Sequence, residues 1–457
     1  MNSLPLGARD IAGILHPYTN AVRHEQDGPL VITSGSGIRV TDDQGREYID
    51  SMAGLWCASL GFSQPRLAAA AARQMEQLGF YHLFSHKSHE PAIKLAERLI
   101  DIAPFPAGKV FFCNSGSEAN DTAVKLIRFL NNARGRPGKK KIIARTKGYH
   151  GVTMMSASLT GLPLNHASFD LPLPGVLHVS CPHYYRFGQE GESEEAFSAR
   201  MAQELEDLIL REGPETVAAF FAEPVMGAGG VITPPKGYFQ AIQEVLKRYD
   251  VLFVADEVIC GFGRTGSMWG CQTYNLQPDI LSCAKALTGG FIPLSALLVS
   301  DELYQDVKTE TGRLGSFGHG YTYSGHPVAA TIALETLDIY QELDIVGHVG
   351  EIAPVLQQGL AALKDHPLVG EIRGVGLIAA VELVQDRTTK APFDPVGRIG
   401  GKLTALAQQE GLILRNLGDS IAFSPSLILT QQDAEEIVAR FTRALNNLGE
   451  DKEFLAA

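Results

Sequence analysis

The chain has 457 residues, a formal net charge of −12 and 45% hydrophobic residues. That length supports a large core and two or three domains. No basic run exceeds Lys139–Lys141, so the clustered positive footprint that nucleic acid needs is missing, and no apolar stretch approaches membrane-span length. The six cysteines form no CxxC pair and sit mostly in apolar contexts, which predicts free, buried thiols in a reducing compartment. The N-terminus lacks a basic region followed by an apolar one, so a cytoplasmic protein is expected.

Residues 1–30 have weak periodicity and read as a segment draped over the rest. Two β-rich runs, LVITSGSGIRV and TDDQGREYID, follow, with Asp43–Gly45 as the turn between them. A glycine-punctuated loop then holds Trp56. Gln64–Gly79 and Glu90–Ile102 have helical periodicity. Lys109–Asn114 reads as a strand, NSGSEAN as a turn, and AVKLIRFLNNA as a helix. Strand, Ser/Gly turn and helix together suit an anion at the helix N-terminus, while Ser115 and Glu118 equally have capping-box spacing.

Lys141–Ala144 is a further strand, and Tyr149 and His150 fall in the loop after it. Residues 152–195 look irregular, and His166, His178 and His183 have no convincing metal-ligand spacing, so no metal is expected. Ala196–Arg211 and Tyr238–Arg248 are amphipathic helices. Ala218–Ala222 is a strand ending at Glu223-Pro224. Strands alternating with helices from about 105 to 300 predict a doubly wound, mostly parallel α/β sheet. From 350 onward, helices at 350–364, 397–410 and 432–448 and strand-like runs at 374–383, 411–415 and 420–429 suggest a smaller α+β domain.

Gly261–Gly266 (GFGRTG) fits G-x-G-x-x-G, but five residues separate it from the preceding strand, and SMWGCQTYNLQP is a poor helix. The dinucleotide fingerprint needs a tight strand–turn–helix. A nicotinamide cofactor is therefore rejected, and the glycines read as chain routing.

The stretch Val251–Lys285 organises the rest. An apolar strand ends at Asp256-Glu257, and a second short segment, Pro278–Cys283, leads to Lys285. Taken alone, Asp256 and Lys285 suit a salt bridge. Four features at strand ends of one sheet argue otherwise: the anion nest around Ser115–Ser117, the aromatic Tyr149, the carboxylate Asp256 and the amine Lys285. Open α/β sheets bind ligands at such ends. Pyridoxal phosphate would use all four, since it needs a lysine for its aldehyde and an anion beside its ring nitrogen.

In NSGSEAND, GYHG, FFAEPVMGAGG, DEVICGFGRTG, SCAKALTGG and HGYTYSGHP, in this order and nearly end to end, the chain resembles the class III aminotransferases of pyridoxal-phosphate fold type I. Within them it is most similar to the amine:pyruvate transaminases, or ω-transaminases. The resemblance implies a large domain (56–327) with a mostly parallel seven-stranded-type sheet, a small α+β domain (328–457), and an N-terminal segment (1–55) packing with the latter. Lys285 would form the Schiff base and move the proton, and Asp256 would hold the ring nitrogen protonated. Tyr149 and Val258 would cover the two ring faces. Gly116 and Ser117 would bind the phosphate, and Thr322 would reach the phosphate of a neighbouring subunit. Ser115, His150 and Glu223 complete the expected cofactor-binding set. Leu55, Trp56, Phe84, Tyr149 and Ala228 would line the substrate pocket, and Arg415 would grip the acceptor carboxylate.

The partners implied are a small-molecule amine donor and a keto acid, with a homodimer of shared active sites as the minimum unit; a tetramer stays open. Ornithine- and 4-aminobutyrate-type relatives carry glutamate where this chain has Ala228, and glutamine where it has Ile259. The alanine favours pyruvate as acceptor. A 2-oxoglutarate-dependent ω-amino acid aminotransferase and an aminomutase remain the alternatives.

Overall fold

The computed structural model describes residues 4–451 and 454–455. Its centre is a seven-stranded sheet in the order Ala107–Cys113, Ser295–Ser300, Ile280–Cys283, Leu252–Asp256, Val217–Ala222, Lys141–Arg145 and Val176–Val179. Ser295–Ser300 runs antiparallel to both neighbours, and the other six strands are mutually parallel. Every residue of Val217–Ala222 is buried. That accounts for its unbroken apolar run, because helices cover both faces of a parallel sheet.

The strand Val176–Val179 lies in the stretch expected to be irregular. It is the outermost strand and only four residues long, so it carries little periodic signal. The helix Asp301–Leu314 also lacks a counterpart in the sequence reading; its buried residues are only Leu303 and Glu310.

The N-terminal runs form three strands, Ile32–Ser36, Arg39–Asp42 and Glu47–Asp50, because Gly37 at φ +53° breaks the first run with a tight turn. Glu47–Asp50 pairs in parallel with Leu412–Ile413, so the two chain ends share one sheet. A second four-stranded sheet contains Val369–Val375, Ile378–Leu383, Ser420–Phe423 and Arg415–Leu417. Helix Pro327–Glu342 packs on Pro65–Leu78 and Glu90–Asp101, whereas Ile345–Ala361 packs on Gln431–Glu450.

The GFGRTG loop does more than route the chain. Its Arg264 is buried and donates to the carbonyls of Leu377 and Pro425, which lie in the C-terminal part. Burial pushes this guanidinium down to about 10. Two glycines and Phe262 form the turn, and Phe262 packs on Trp269. The helix after it spans only Gly270–Tyr274. All six cysteines are free, five of them buried. Among the described residues no helix is long and apolar enough to cross a membrane.

Candidate active site

The carboxyl ends of the parallel strands open into a cavity of about 670 Å³. Its wall includes Ser115, Gly116, Ser117, Tyr149, His150, Glu223, Ala228, Asp256, Val258, Lys285, Leu55, Trp56 and Arg415. The sheet thus gathers side chains that lie up to 360 residues apart. It does so because parallel strands put every following loop on the same edge.

Asp256 ends its strand and is buried. Its Oδ2 accepts from His150 Nδ1 at 2.8 Å and from Asn120 Nδ2 at 2.8 Å, and its Oδ1 accepts from the Val258 N–H at 3.1 Å. No ion pair with Lys285 forms. Bonded through Nδ1, His150 leaves its buried Nε2 without a partner. Glu223, also buried, accepts from the Tyr149 N–H at 3.0 Å and the Gly227 N–H at 3.0 Å. Burial pushes its carboxyl upward. It therefore clamps the Tyr149 loop to the loop that carries Ala228.

Lys285 follows strand Ile280–Cys283 and opens a short 3₁₀ turn at φ +51°. Left-handed backbone at a bulky residue is strained and persists only where the surroundings hold it. Here the Gly290 N–H donates to the Lys285 carbonyl at 3.2 Å, and Tyr340 Oη donates to the Ala286 carbonyl at 2.7 Å. Burial pushes the Lys285 ammonium down, Asp256 and Glu223 push it back up, and Arg415 adds to the lowering.

Ser115 caps helix Gly116–Ala133 by accepting from the Glu118 N–H at 3.2 Å. The Glu118 carboxylate accepts from the Asn114 N–H at 2.7 Å rather than returning to Ser115, so only half of the capping box forms. Cap and cavity wall thus coincide. The first N–H groups of such a helix have no intrahelical acceptor and attract an anion. A Cβ on Gly116 would lie 2.9 Å from Val258 Cγ2, so glycine is what lets Val258 close over this helix end. Ser117 Oγ accepts from the Val152 N–H at 3.0 Å.

Trp56 is buried, whereas Leu55 is exposed to the cavity side of its loop. Ala53, Gly54 and Trp56 all have positive φ. Asp50 holds this strained turn by accepting from the N–H groups of Met52 (2.8 Å) and Gly54 (3.2 Å). Burial raises the Asp50 carboxyl to about 6. Arg415 begins a three-residue strand, and burial lowers its guanidinium against the pull of Tyr149 and Tyr18. Among the described residues its side chain has no carboxylate partner.

Two expected residues are not in the cavity of their own chain. Phe84 is exposed and packs against Gly320, where a Cβ would lie 2.9 Å from its ring. Thr322 is exposed in the following loop. Both sit outside the strand-end edge, on segments that no sheet ladder ties to it. Conversely, Tyr18, Asn120, Lys147, Leu162–Asn165, Val396 and Leu417 line the cavity without having been singled out. Asn120 lies within the NSGSEAN motif, in the second turn of helix Gly116–Ala133 on its buried face. Tyr18 carries no local signal: it reaches the cavity from the N-terminal segment and is hydrogen-bonded to Asn165.

The site fits pyridoxal phosphate on its own geometry. It offers a helix end free of side-chain bulk for a phosphate, a carboxylate fixed by two side chains, and a lysine under lowered pKa, all on one wall. The family model Aminotransferase class-III matches residues 21–445. Gamma aminobutyrate transaminase 3, chloroplastic, of Solanum lycopersicum is 51% identical over 450 residues, covering 97% of this chain and 86% of that protein. Gamma-aminobutyrate transaminase 1, mitochondrial, of Oryza sativa subsp. indica is 51% identical over 436 residues, 95% of this chain and 84% of that one. The omega transaminase of Pseudomonas jessenii in complex with PMP superposes with a TM-score of 0.97 at 56% identity, covering 98% of this chain and 99% of that one. The PMP-bound aminotransferase of Vibrio fluvialis gives 0.96 at 44% identity, with 98% and 99% covered. Fold, site and similarity over nearly the whole length agree, and the chain belongs to the class III aminotransferases, which use pyridoxal phosphate.

Proposed function

We propose that this aminotransferase takes the amino group of a primary amine, including amines without an α-carboxylate, and delivers it to pyruvate, releasing alanine. Bound pyridoxal phosphate supplies an electron-accepting ring and an aldehyde carbon. Asp256, fixed by His150 and Asn120, is the residue for the ring nitrogen, and Gly116 and Ser117 are those for the phosphate. Lys285 Nζ is the proton carrier: burial favours its neutral amine, which can take a proton from the substrate carbon and return it. Tyr149 and Trp56 exclude water from that carbon. Arg415 receives the carboxylate of the acceptor by a charge-assisted contact. Thr322 and Phe84, exposed and outside their own cavity, would complete the cavity of a second copy, which makes a homodimer the working unit. Six free cysteines suit a reducing compartment such as the cytoplasm.

The observation that carries the pyruvate reading is Arg415 in the cavity wall with Ala228, not a carboxylate, beside the Glu223–Pro224 turn. An arginine with no carboxylate partner among the described residues is available for the single carboxylate of a small keto acid. A second reading, an ω-amino acid donor, is supported by the names of the 51% identical relatives. A panel of amines, β-alanine and 4-aminobutyrate against pyruvate and 2-oxoglutarate separates the two. Pyruvate should exceed 2-oxoglutarate at least tenfold in kcat/KM, and Arg415→Ala should raise the KM for pyruvate more than that for a simple amine. Equal preference for both acceptors, or equal losses in the variant, would overturn the assignment.

A further inference from the structure

Outside the cavity, among the described residues, two clusters bring histidine and carboxylate ligand atoms together. In the first, His183, Glu371 and Glu382 already meet Arg373 and Arg186, whose guanidinium groups supply the positive charge that a cation would bring. The second has no such cation. Helix Leu6–Gly13 carries Asp10, the loop after it carries His16, and helix Ala21–Asp27 carries His24. Both imidazole Nε2 atoms converge on one oxygen, Asp10 Oδ1, at 2.8 and 3.0 Å. Among the described residues Asp10 has no lysine or arginine partner. The three side chains are partly buried, with relative exposures of 17% for Asp10, 29% for His16 and 11% for His24.

We propose that Asp10, His16 and His24 bind a divalent transition metal of the zinc class, which ties the two N-terminal helices together. Two imidazoles and one carboxylate are a ligand set that zinc accepts, with a water at the fourth position. Tetrahedral coordination at ordinary bond lengths separates donor atoms by about 3.3 Å. The observed Nε2–Oδ1 spacings need to open by only a few tenths of an ångström. On binding, each Nε2 proton passes to Nδ1 or to solvent, and the Nε2 lone pair turns to the metal. The gain beyond the existing hydrogen bonds is a doubly charged cation opposite Asp10. The consequence reaches the cavity, because Tyr18 lies between His16 and His24 in the chain and lines the cavity wall. A metal here would fix the segment that holds Tyr18 against Asn165.

The test uses the cofactor-loaded full chain, treated with a chelator and titrated with Zn²⁺ by calorimetry. One ion per chain is expected. Loss of a ligand in His16→Ala or His24→Ala should weaken binding by about 10- to 100-fold or more. Asp10→Asn keeps an acceptor for one imidazole and should weaken binding comparably through lost charge. Circular dichroism checks that each variant is folded, and a folded variant is expected because the cluster lies on short surface helices. Zinc should also slow proteolytic cleavage between residues 14 and 20 in the parent and not in the variants. Failure to take up one ion per chain, or uptake unchanged by all three substitutions, overturns the proposal.

Discussion

Asn120→Ala removes one of the three donors that fix Asp256 and leaves Lys285 and Arg415 in place. Asn120 is buried, and its Nδ2 serves both Asp256 Oδ2 and the His150 carbonyl, each at 2.8 Å. After the substitution Asp256 keeps only His150 Nδ1 and the Val258 N–H, and the His150 carbonyl loses its side-chain donor. A hydrogen bond to a charged acceptor contributes about 1.5–3 kcal/mol. If that energy holds Asp256 in place during reaction, its loss is a fall of about 10- to 150-fold in kcat/KM. The assay is steady-state turnover of a fixed amine–pyruvate pair at saturating pyridoxal phosphate, with thermal unfolding measured alongside. The KM for pyruvate should change little, because Arg415 makes no hydrogen bond to Asp256, His150 or Asn120. A variant with kcat/KM within about twofold of the parent but a lowered Tm would show that Asn120 only supports packing.

Gly151→Ala places a Cβ inside van der Waals distance of Ser117 Oγ at a backbone φ of +127°. It should cost about 1–3 kcal/mol of stability and weaken pyridoxal phosphate binding, read by cofactor titration; unchanged affinity would refute the fit of the helix end. For Glu382, burial pushes its carboxyl up, but Arg373, His183 and Arg186 outweigh this and hold it at about 2. A depressed carboxyl pKa stabilises the fold above about pH 4.5 and loses that contribution as pH falls toward 2, here about 3 kcal/mol. Urea unfolding of the parent should weaken over that window, and Glu382→Gln should flatten the slope; parallel curves would contradict it.

The strand–turn–helix grammar of the sheet was readable because buried parallel strands such as Val217–Ala222 are unbroken apolar runs. The strand ends were readable for the same reason, since Asp256, Glu223 and Lys285 follow such runs directly. What could not be read depends on chain crossings. Tyr18, Leu162–Asn165 and Leu417 reach the cavity from segments with no periodicity, and only the folded chain shows their convergence. Arg264 looked like part of a glycine-rich routing loop, yet its guanidinium joins two parts of the chain through backbone carbonyls that no side-chain pattern announces. The lone strand Val176–Val179 was hidden for a simpler reason: four residues flanked by proline and glycine give too short a pattern.

A single turnover tests pyruvate as the acceptor. The enzyme is first charged with an amine donor, freed of excess donor, and then mixed with pyruvate. One alanine per cavity is expected, with Lys285→Ala yielding none on the same time scale. No alanine from the charged parent enzyme, with glutamate formed instead from 2-oxoglutarate, would contradict pyruvate as the acceptor.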